Sequence, residues 1–381
     1  MKAALLGHGT IGVGVDRIAS GISCIDITRV LALETDDEIQ GRHTFSVDDI
    51  VNDPSIDTVI EVMGGIHPAW EFISRCMEAG KNVVTANKAV VAAYYREMIA
   101  LSEKHHVALR TTAAVGGGIP WLVNLSRTKA GDEIQKISGI MNGTTNYILS
   151  RMDREGAAFP DMLKEAQELG YAEKDPSADI DGDDVRRKLC ISAGVAFDCA
   201  VDENDIPTAG IRFVKPEDLA FGHTLGRTLK LLAVSEKTGS AISAYVVPAF
   251  IPDGTLLAAV PGNLNLLSLT AKNAGTLSFA GQGAGRFPTA ENVILDLLDI
   301  ENHKPTGFYT DKTDPTVPDN SGALYSWVLR SAALSDFPDA LKKETNGCQS
   351  LTEKISVKEF FRLAEMLREK DPALFFAAVF E

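Results

Sequence analysis

The stretch Tyr171–Ile191 reads YAEKDPSADIDGDDVRRKLCI. It sets Glu173, Asp175, Asp179, Asp181, Asp183 and Asp184 ahead of Arg186, Arg187 and Lys188. A solvated acidic loop is the ordinary reading of such a run. Here, however, the acids lead into an apolar helix carrying Val185, Leu189, Ile191 and Val195. The last of them therefore sit at its N-terminal end, where the helix dipole favours carboxylates. Asp184 and Lys188 stand four apart, share one helical face and can meet above a common substrate atom. The rest of the chain then has to bring a cofactor and a small charged substrate to that face.

The elements that could do so begin at Met1. Lys2–Leu6 (KAALL) is a buried-strand candidate, followed at once by GHGTIG and by a helix carrying Val13, Ile18 and Ala19. Strand, glycine turn and helix is the setting in which GxGxxG signals a dinucleotide. Gly7 allows the tight turn, Gly9 lets a pyrophosphate approach the backbone, and Gly12 lets helix and strand pack closely. Thr10 and Ile11 lie inside the motif and count with it. An ordinary glycine turn is the bland alternative. The second strand, ITRVLAL, ends at Glu34, about twenty residues past the last motif glycine, where an acid can hold the ribose hydroxyls of NAD. Thr35, Asp36, Asp37 and Glu38 follow, and Arg42 is the nearest base that a 2′-phosphate could use. The pattern leans to NAD over NADP, with a solvated acidic turn as the alternative.

Further strands are expected at Asp57–Met63, Asn82–Thr85 and Val107–Thr111, with helices at Pro68–Ala79 and Tyr94–Lys104. This alternation implies βαβ units and a parallel sheet with ligands at the carboxyl ends of its strands. Gly64-Gly65 and Asn87-Lys88 fall at such ends, which places Lys88 better for function than an average lysine. In AAVGGGIP, Ala113–Pro120, glycines before a proline mark a loop whose backbone passes close to something. A strand at Glu133–Met141 runs into NGTTNYILSRM, where Asn142-Gly143-Thr144 presents N–H groups and hydroxyls to an anion. Plain N-capping by Thr144 or Thr145 is compatible with that.

From Leu229 to Ala280 the chain reads as strands (LKLLAVSEK, AISAYVVPAF, NLNLLSLTA, GTLSFAG) joined by turns, a second, mixed α+β domain. GQGAG (Gly281–Gly285) then enters an amphipathic helix expected to return to the first domain. Glu301–Asn320 reads as a linker. Beyond it lie a strand candidate at Gly307–Thr310, helices at Ser321–Ala333 and Val357–Glu369, and a strand at Leu374–Phe380.

A chain of 381 residues, 45% of them hydrophobic, can bury two or three cores. A formal charge of −15 argues against nucleic-acid or anionic-membrane partners. Cys24, Cys76, Cys190, Cys199 and Cys348 are scattered and lack CxxC spacing, as in a reducing compartment, and give no metal-site signal. No leader or spanning run is evident, so the expectation is a soluble cytoplasmic protein.

Together these stretches resemble homoserine dehydrogenase, the NAD(P)-linked family that interconverts aspartate 4-semialdehyde and homoserine in threonine and methionine biosynthesis. The resemblance runs from Met1 to about Ile300. Its most specific parts are TANKAVVA (Thr85–Ala92), GIMNGTTNYILSRM (Gly139–Met152), AQELGYAEKDPSADIDGDDVRRKLCI (Ala166–Ile191) and GQGAGRFPTA (Gly281–Ala290). It implies that Lys188 lies nearest the reacting oxygen with Asp184 beside it. Glu173 would hold the substrate ammonium, supported by Asp179, with Lys88 beside nicotinamide and substrate. Gly143 and Thr144 would touch the substrate, with Tyr171 in the same wall. Gly7, Gly9 and Gly12 match the pyrophosphate loop, and Gly64 and Gly65 match the run beside the nicotinamide ribose. Thr85, Asn87 and Gly283 fall in cofactor-contacting stretches. Hydride delivery to an aldehyde builds negative charge on oxygen, which an ammonium in a dry site stabilises. In the oxidation direction, a lysine can accept the hydroxyl proton.

Two departures from the family stand out. Many relatives carry a glutamate just before the glycine loop, where it ligates a monovalent cation together with backbone carbonyls. This chain has Thr112 there, leaving the carbonyls of Val115 and Gly117 as candidate sodium ligands. At the end of the second strand Leu33 stands where relatives often have a basic residue, which again favours NAD.

The resemblance thus implies an α/β chain with a Rossmann-type domain (1–125, with 285–301 returning to it), an α+β substrate and dimerisation domain (126–284) and an extension (302–381). The extension's element order, with VPDNSGAL at Val317–Leu324, is compatible with an ACT-like βαββαβ regulatory module; a helical cap or oligomerisation extension is the alternative. A homodimer or homotetramer is expected. Rival readings are a dehydrogenase for another amino-acid aldehyde and a catalytically idle NAD-binding regulator. Aspartate-semialdehyde dehydrogenase needs a nucleophilic cysteine, and none of the five lies in such a motif.

Overall fold

A computed structural model of the chain describes residues 1–34, 37–304 and 314–381. From its amino end it runs β1 (Lys2–Leu6), α1 (Thr10–Ala19), β2 (Asp26–Leu31), β3 (His43–Thr44), α2 (Asp48–Val51), β4 (Thr58–Glu61), α3 (Ala69–Glu78), β5 (Asn82–Thr85), α4 (Lys88–His105), β6 (Leu109–Arg110) and α5 (Trp121–Lys129). There follow β7 (Ile134–Ile140), α6 (Gly143–Glu155), α7 (Phe159–Glu168), α8 (Ser177–Ile180), α9 (Asp183–Phe197), β8 (Cys199–Ala200), α10 (Pro216–Thr224), β9 (Arg227–Thr238) and β10 (Ala241–Pro252). Next are α11 (Leu256–Ala259), β11 (Leu264–Ala271), β12 (Gly275–Gln282), α12 (Arg286–Glu301) and β13 (Asp314–Pro315). Last come β14 (Leu324–Arg330), β15 (Lys342–Asn346), β16 (Gln349–Thr352), β17 (Ile355–Ser356), α13 (Val357–Arg368) and β18 (Phe375–Val379).

The chain forms two compact units. The first comprises Met1–Gly131, Gly194–Ala200 and Gly281–Asp314; the second comprises Asp132–Ala193, Val201–Ala280 and Pro315–Glu381.

In the first unit a parallel sheet has the order β3-β2-β1-β4-β5-β6. The order switches at β1, and the crevice at the carboxyl ends of β1 and β4 is where such an open sheet takes its ligand. Strands buried on both faces read as continuous apolar runs. That is why Ala3–Leu6, Val59, Ile60, Val83 and Val84 show no exposed face. The returning helix α12 contributes Val293, Ile294 and Leu297 to the core that Leu5, Val15, Val30 and Ile60 share.

In the second unit a mixed sheet has the order β12-β11-β7-β9-β10-β18-β14-β16-β15, with β17 paired to β14. The β9–β10 hairpin pairs in unbroken register from Arg227–Pro252 to Thr238–Ala241, and Gly239 supplies the positive φ that its tight turn requires.

One expectation is overturned here. The segment expected as a helix over Ser321–Ala333 is the strand β14, paired antiparallel with β16 and β18. Its Trp327, Val328 and Leu329 are all fully buried. A strand covered on both faces shows an apolar run without alternation, which periodicity cannot tell from a buried helix. The first helix of the βαββαβ order is therefore missing, and 3₁₀ turns at Leu334–Asp336 and Asp339–Leu341 stand in its place. The strand candidate at Gly307–Thr310 lies outside the described residues. Among those described, no helix is long and apolar enough to cross a membrane.

Candidate active site

The i,i+4 spacing on α9 does bring its pair together. Lys188 Nζ lies 2.8 Å from Asp184 Oδ2, with both side chains more than nine-tenths buried, and it donates to the Met141 carbonyl at 2.7 Å. The acidic end of a helix suits Asp184, and the lysine balances the charge that burial would otherwise penalise. Met141 directly follows β7, so the end of a strand and a helix face fix the ammonium from two directions.

The next residue, Asn142, ties the cluster together. Its amide nitrogen donates to Asp184 Oδ2 at 2.9 Å and to Asp179 Oδ1 at 2.7 Å. Its amide oxygen accepts from Thr145 N at 2.9 Å and so caps α6. Gly143 opens α6 against the Asn263 carbonyl, which a Cβ there would meet at 2.5 Å. Thr144 donates its hydroxyl to the Tyr171 carbonyl at 2.5 Å. The Tyr171 ring, partly exposed, stands edge-on to Tyr147 at 5.0 Å between centroids. Glu173 is exposed on the loop beside it, its backbone carbonyl held by Gln167. The structure therefore groups Asp184, Lys188, Asp179, Gly143, Thr144 and Tyr171 and leaves the Glu173 side chain in solvent. The remaining acids of the run have structural partners. Asp175 caps Ser177, Asp181 pairs with Arg212 at 2.6 Å, and Asp183 pairs with Arg186 at 3.0 Å.

In the first unit the glycine turn joins β1 to α1. Gly12 packs so tightly that a Cβ would stand 2.1 Å from the Gly7 carbonyl oxygen, whereas Gly9 faces open space. That combination leaves the α1 N-terminus, with Thr10 and Ile11 at its first turn and no side-chain cap on Gly9, available to a phosphate. Glu34 and Leu33 are exposed just past the end of β2. Arg42 is clamped bidentately by Asp16 at 2.7 and 2.8 Å, which in turn holds the Asp16 carboxyl below its ordinary range against the opposing effect of burial.

A residue with no place in the sequence-level site organises the other side of the crevice. Glu61, fully buried at the end of β4, accepts from Thr85 Oγ1 at 2.6 Å, Met63 N at 2.8 Å and Asn87 Nδ2 at 3.2 Å. Burial pushes its carboxyl up, and these donors oppose the rise. Asn87 also reaches the Gly65 carbonyl at 2.7 Å and caps α4, whose first residue is Lys88. Thr85, Asn87, Gly64 and Gly65 are thus one network around Glu61. An acid inside the apolar strand DTVIEVM was the available signal.

Gly283 sits in the loop before α12, against Gly117. Among the described residues no group of His, Cys, Asp and Glu side chains is arranged to hold a metal ion. A cleft of about 820 Å³ lined by Asp57, Asn82, Val107 and Glu301 opens at the amino ends of β4 and β5. Ligands of such sheets bind at the opposite ends, so it lies away from the site.

A doubly wound sheet with its glycine turn, together with a buried lysine–carboxylate pair, defines a dinucleotide-dependent oxidoreductase. The family models agree: homoserine dehydrogenase matches residues 120–298, and the homoserine dehydrogenase NAD-binding domain matches residues 27–111. The chain is 36% identical to homoserine dehydrogenase of Bacillus subtilis over 81% of this chain and 74% of that one. It is 40% identical to that of Synechocystis over 79% and 73%. A crystal structure of a homoserine dehydrogenase from Thiobacillus denitrificans superposes with a TM-score of 0.89 at 31% identity, covering 100% of this chain and 98% of that one. The chain belongs to the homoserine dehydrogenase family of NAD(P)-dependent oxidoreductases.

Proposed function

We propose that this chain interconverts L-aspartate 4-semialdehyde and L-homoserine with Lys188 as the group nearest the reacting oxygen. The observation that carries the assignment is the buried Asp184–Lys188 pair, anchored to the end of β7 through the Met141 carbonyl. The glycine turn, Glu34 and the Glu61 network fit a dinucleotide, and a bound nicotinamide supplies or takes the hydride. In reduction, charge develops on the aldehyde oxygen as its carbon gains hydride. Lys188 stabilises that charge and provides the proton. In oxidation it takes the hydroxyl proton. Asp184 orients the ammonium, and Asn142 and Asp179 hold Asp184. Glu173, exposed on its loop, serves the substrate ammonium, and Lys88 serves its carboxylate. Gly143, Thr144 and Tyr171 form the wall.

NAD is the preferred cofactor in this reading. An exposed Leu33 stands before Glu34, and Asp16 already engages Arg42, so a 2′-phosphate gains little there. A homodimer or homotetramer in the cytoplasm is the form we assign, the five free cysteines fitting a reducing compartment.

Following absorbance of the reduced cofactor with homoserine plus NAD or NADP tests activity and preference together. Lys188→Ala and Asp184→Ala should each lower turnover by about a hundredfold or more while cofactor affinity stays near that of the unaltered protein. Near-normal turnover in both would sink these roles.

A further inference from the structure

The glycine loop of the first unit bears on the cation that family membership implies. Gly117 was a candidate carbonyl ligand for sodium, together with Val115. In the structure the Asn292 amide nitrogen, from α12, donates to the Gly117 carbonyl and also reaches the Ile119 carbonyl at 3.3 Å. Asn292 is 2% exposed. Thr112, where many relatives place a cation-ligating glutamate, donates its hydroxyl to Asp296 Oδ1 at 2.6 Å, and its N–H reaches Asp296 Oδ2 at 3.0 Å. Asp296 lies one helical turn beyond Asn292 on the same helix.

The loop is also held closely against the segment before α12. Gly117 takes a positive φ of 55, and a Cβ there would stand 2.6 Å from the Gly283 carbonyl. Gly118 donates its N–H to the Gln282 carbonyl at 3.1 Å.

Hard cations are bound by oxygen atoms whose lone pairs they share. Here the Asn292 amide nitrogen stands within hydrogen-bond reach of both the Gly117 and Ile119 carbonyls, where a cation bridging them would have to sit, and Thr112 brings no carboxylate to balance an ion. These residues do not fit a sodium ion. An amide nitrogen carries two N–H donors and no charge, so it can satisfy two converging carbonyls as a cation would. Exchanging a carboxylate and a monovalent cation for a hydroxyl and an amide also leaves the local charge unchanged, with no ion to desolvate.

We propose that Asn292 is the internal substitute for the cation, a positioning residue that holds the Gly117–Ile119 loop, and that this loop neither needs nor binds sodium. The inference rests on family membership for the comparison with relatives. Its test reads binding and unfolding without substrate, so it stands or falls apart from the catalytic assignments.

The full chain is exchanged into buffer free of sodium and potassium, with a tetramethylammonium salt holding the ionic strength, and then titrated with NaCl or KCl. A ligand that binds only the folded form must raise the unfolding midpoint. The expected result is an unchanged midpoint and less than about a twofold change in dissociation constant for reduced cofactor. A saturating rise of the midpoint with sodium overturns the proposal. In Asn292→Ala the carbonyls lose their donor, so the midpoint should fall in sodium-free buffer, cofactor affinity should weaken, and sodium should partly restore both. A variant indistinguishable from the parent, or one destabilised yet indifferent to sodium, also overturns the proposal. Should the variant not fold, the titration of the unaltered chain still decides.

Discussion

Asn142 is the side chain on which the geometry of the acids depends. It donates to Asp179 and Asp184 while accepting from the first turn of α6. Asn142→Asp removes the donor and sets a third carboxylate against the other two. Three carboxylates so close repel one another, so the aspartate variant should lose more turnover than Asn142→Ala, which removes the donor without adding charge. Turnover of the aspartate variant at or above that of the alanine variant would count against the bridging role. Glu61 has a comparable place in the network proposed to meet the cofactor. Glu61→Gln replaces one acceptor oxygen with a donor nitrogen that faces either Thr85 Oγ1 or the Met63 and Asn87 N–H groups. It should weaken reduced-cofactor binding about tenfold, or ~1.4 kcal/mol, as measured by fluorescence titration. Helical periodicity made Asp184 and Lys188 legible as a pair, since four residues make one face. Asn142 was legible only as part of an anion-presenting turn. Its two carboxylate partners are brought to it by tertiary folding across Thr144–Asp179, which no local pattern encodes.

At the level of elements, α6 must keep its first turn still if Gly143 and Thr144 are to meet a substrate. Lys230 on β9, 3% exposed, donates to Asn146 Oδ1 at 2.8 Å and to the Val260 carbonyl at 2.8 Å. Asn146 in turn donates to the Leu264 carbonyl at 3.0 Å. Lys230 thereby fastens α6 to the segment between α11 and β11. Burial pushes its ammonium down to about 8, opposed by Asp153 on α6, which itself pairs with His223 of α10 at 2.8 Å. A lysine depressed in the folded form is deprotonated there while the unfolded chain still holds its proton. Between about 8 and the ordinary 10.5, its contribution to stability therefore rises with pH. Below that window the charged form is a standing cost. Lys230→Met should lose this pH-dependent gain, so urea unfolding should show the parent improving relative to the variant as pH passes upward through 8. A constant difference across that range would contradict the assignment. The strand LKLLAVSEK was legible from its apolar content. The inward turn of its first lysine, Lys230 after Leu229, was not, because a buried lysine needs carbonyl and amide partners from other elements. The same blindness to partners made Ser321–Ala333 read as a helix, when β16 and β18 on either side make it a strand.

At the scale of the whole molecule, Pro315–Glu381 fall within the second compact unit. β18 pairs in parallel with β10, and β14 lies next to it, so the tail completes a sheet whose other strands carry α6 and the Asn142–Thr144 turn. Trp327 stacks on Phe360 at 4.0 Å between centroids within a core that includes Leu232, Val247 and Leu266 from the preceding strands. Arg330 forms a buried pair with Asp218 of α10 at 2.8 Å; burial raises that carboxyl, and the guanidinium opposes the rise. Removing these residues would bare the edge of β10, an apolar sheet face and a carboxylate with its partner gone. Breaking one buried pair alone costs about 3–5 kcal/mol. A chain ending at Asn302 should therefore be insoluble or unfold well below the full chain, and loss of its activity would say nothing about regulation. The informative version keeps the tail intact and titrates threonine into the assay of the full chain. Inhibition there, abolished by substitutions on exposed tail residues that leave the unfolding midpoint unchanged, would establish a regulatory role. A truncated chain with the parent's midpoint and turnover would instead show that the tail is dispensable to the sheet and reopen its reading as a separate module.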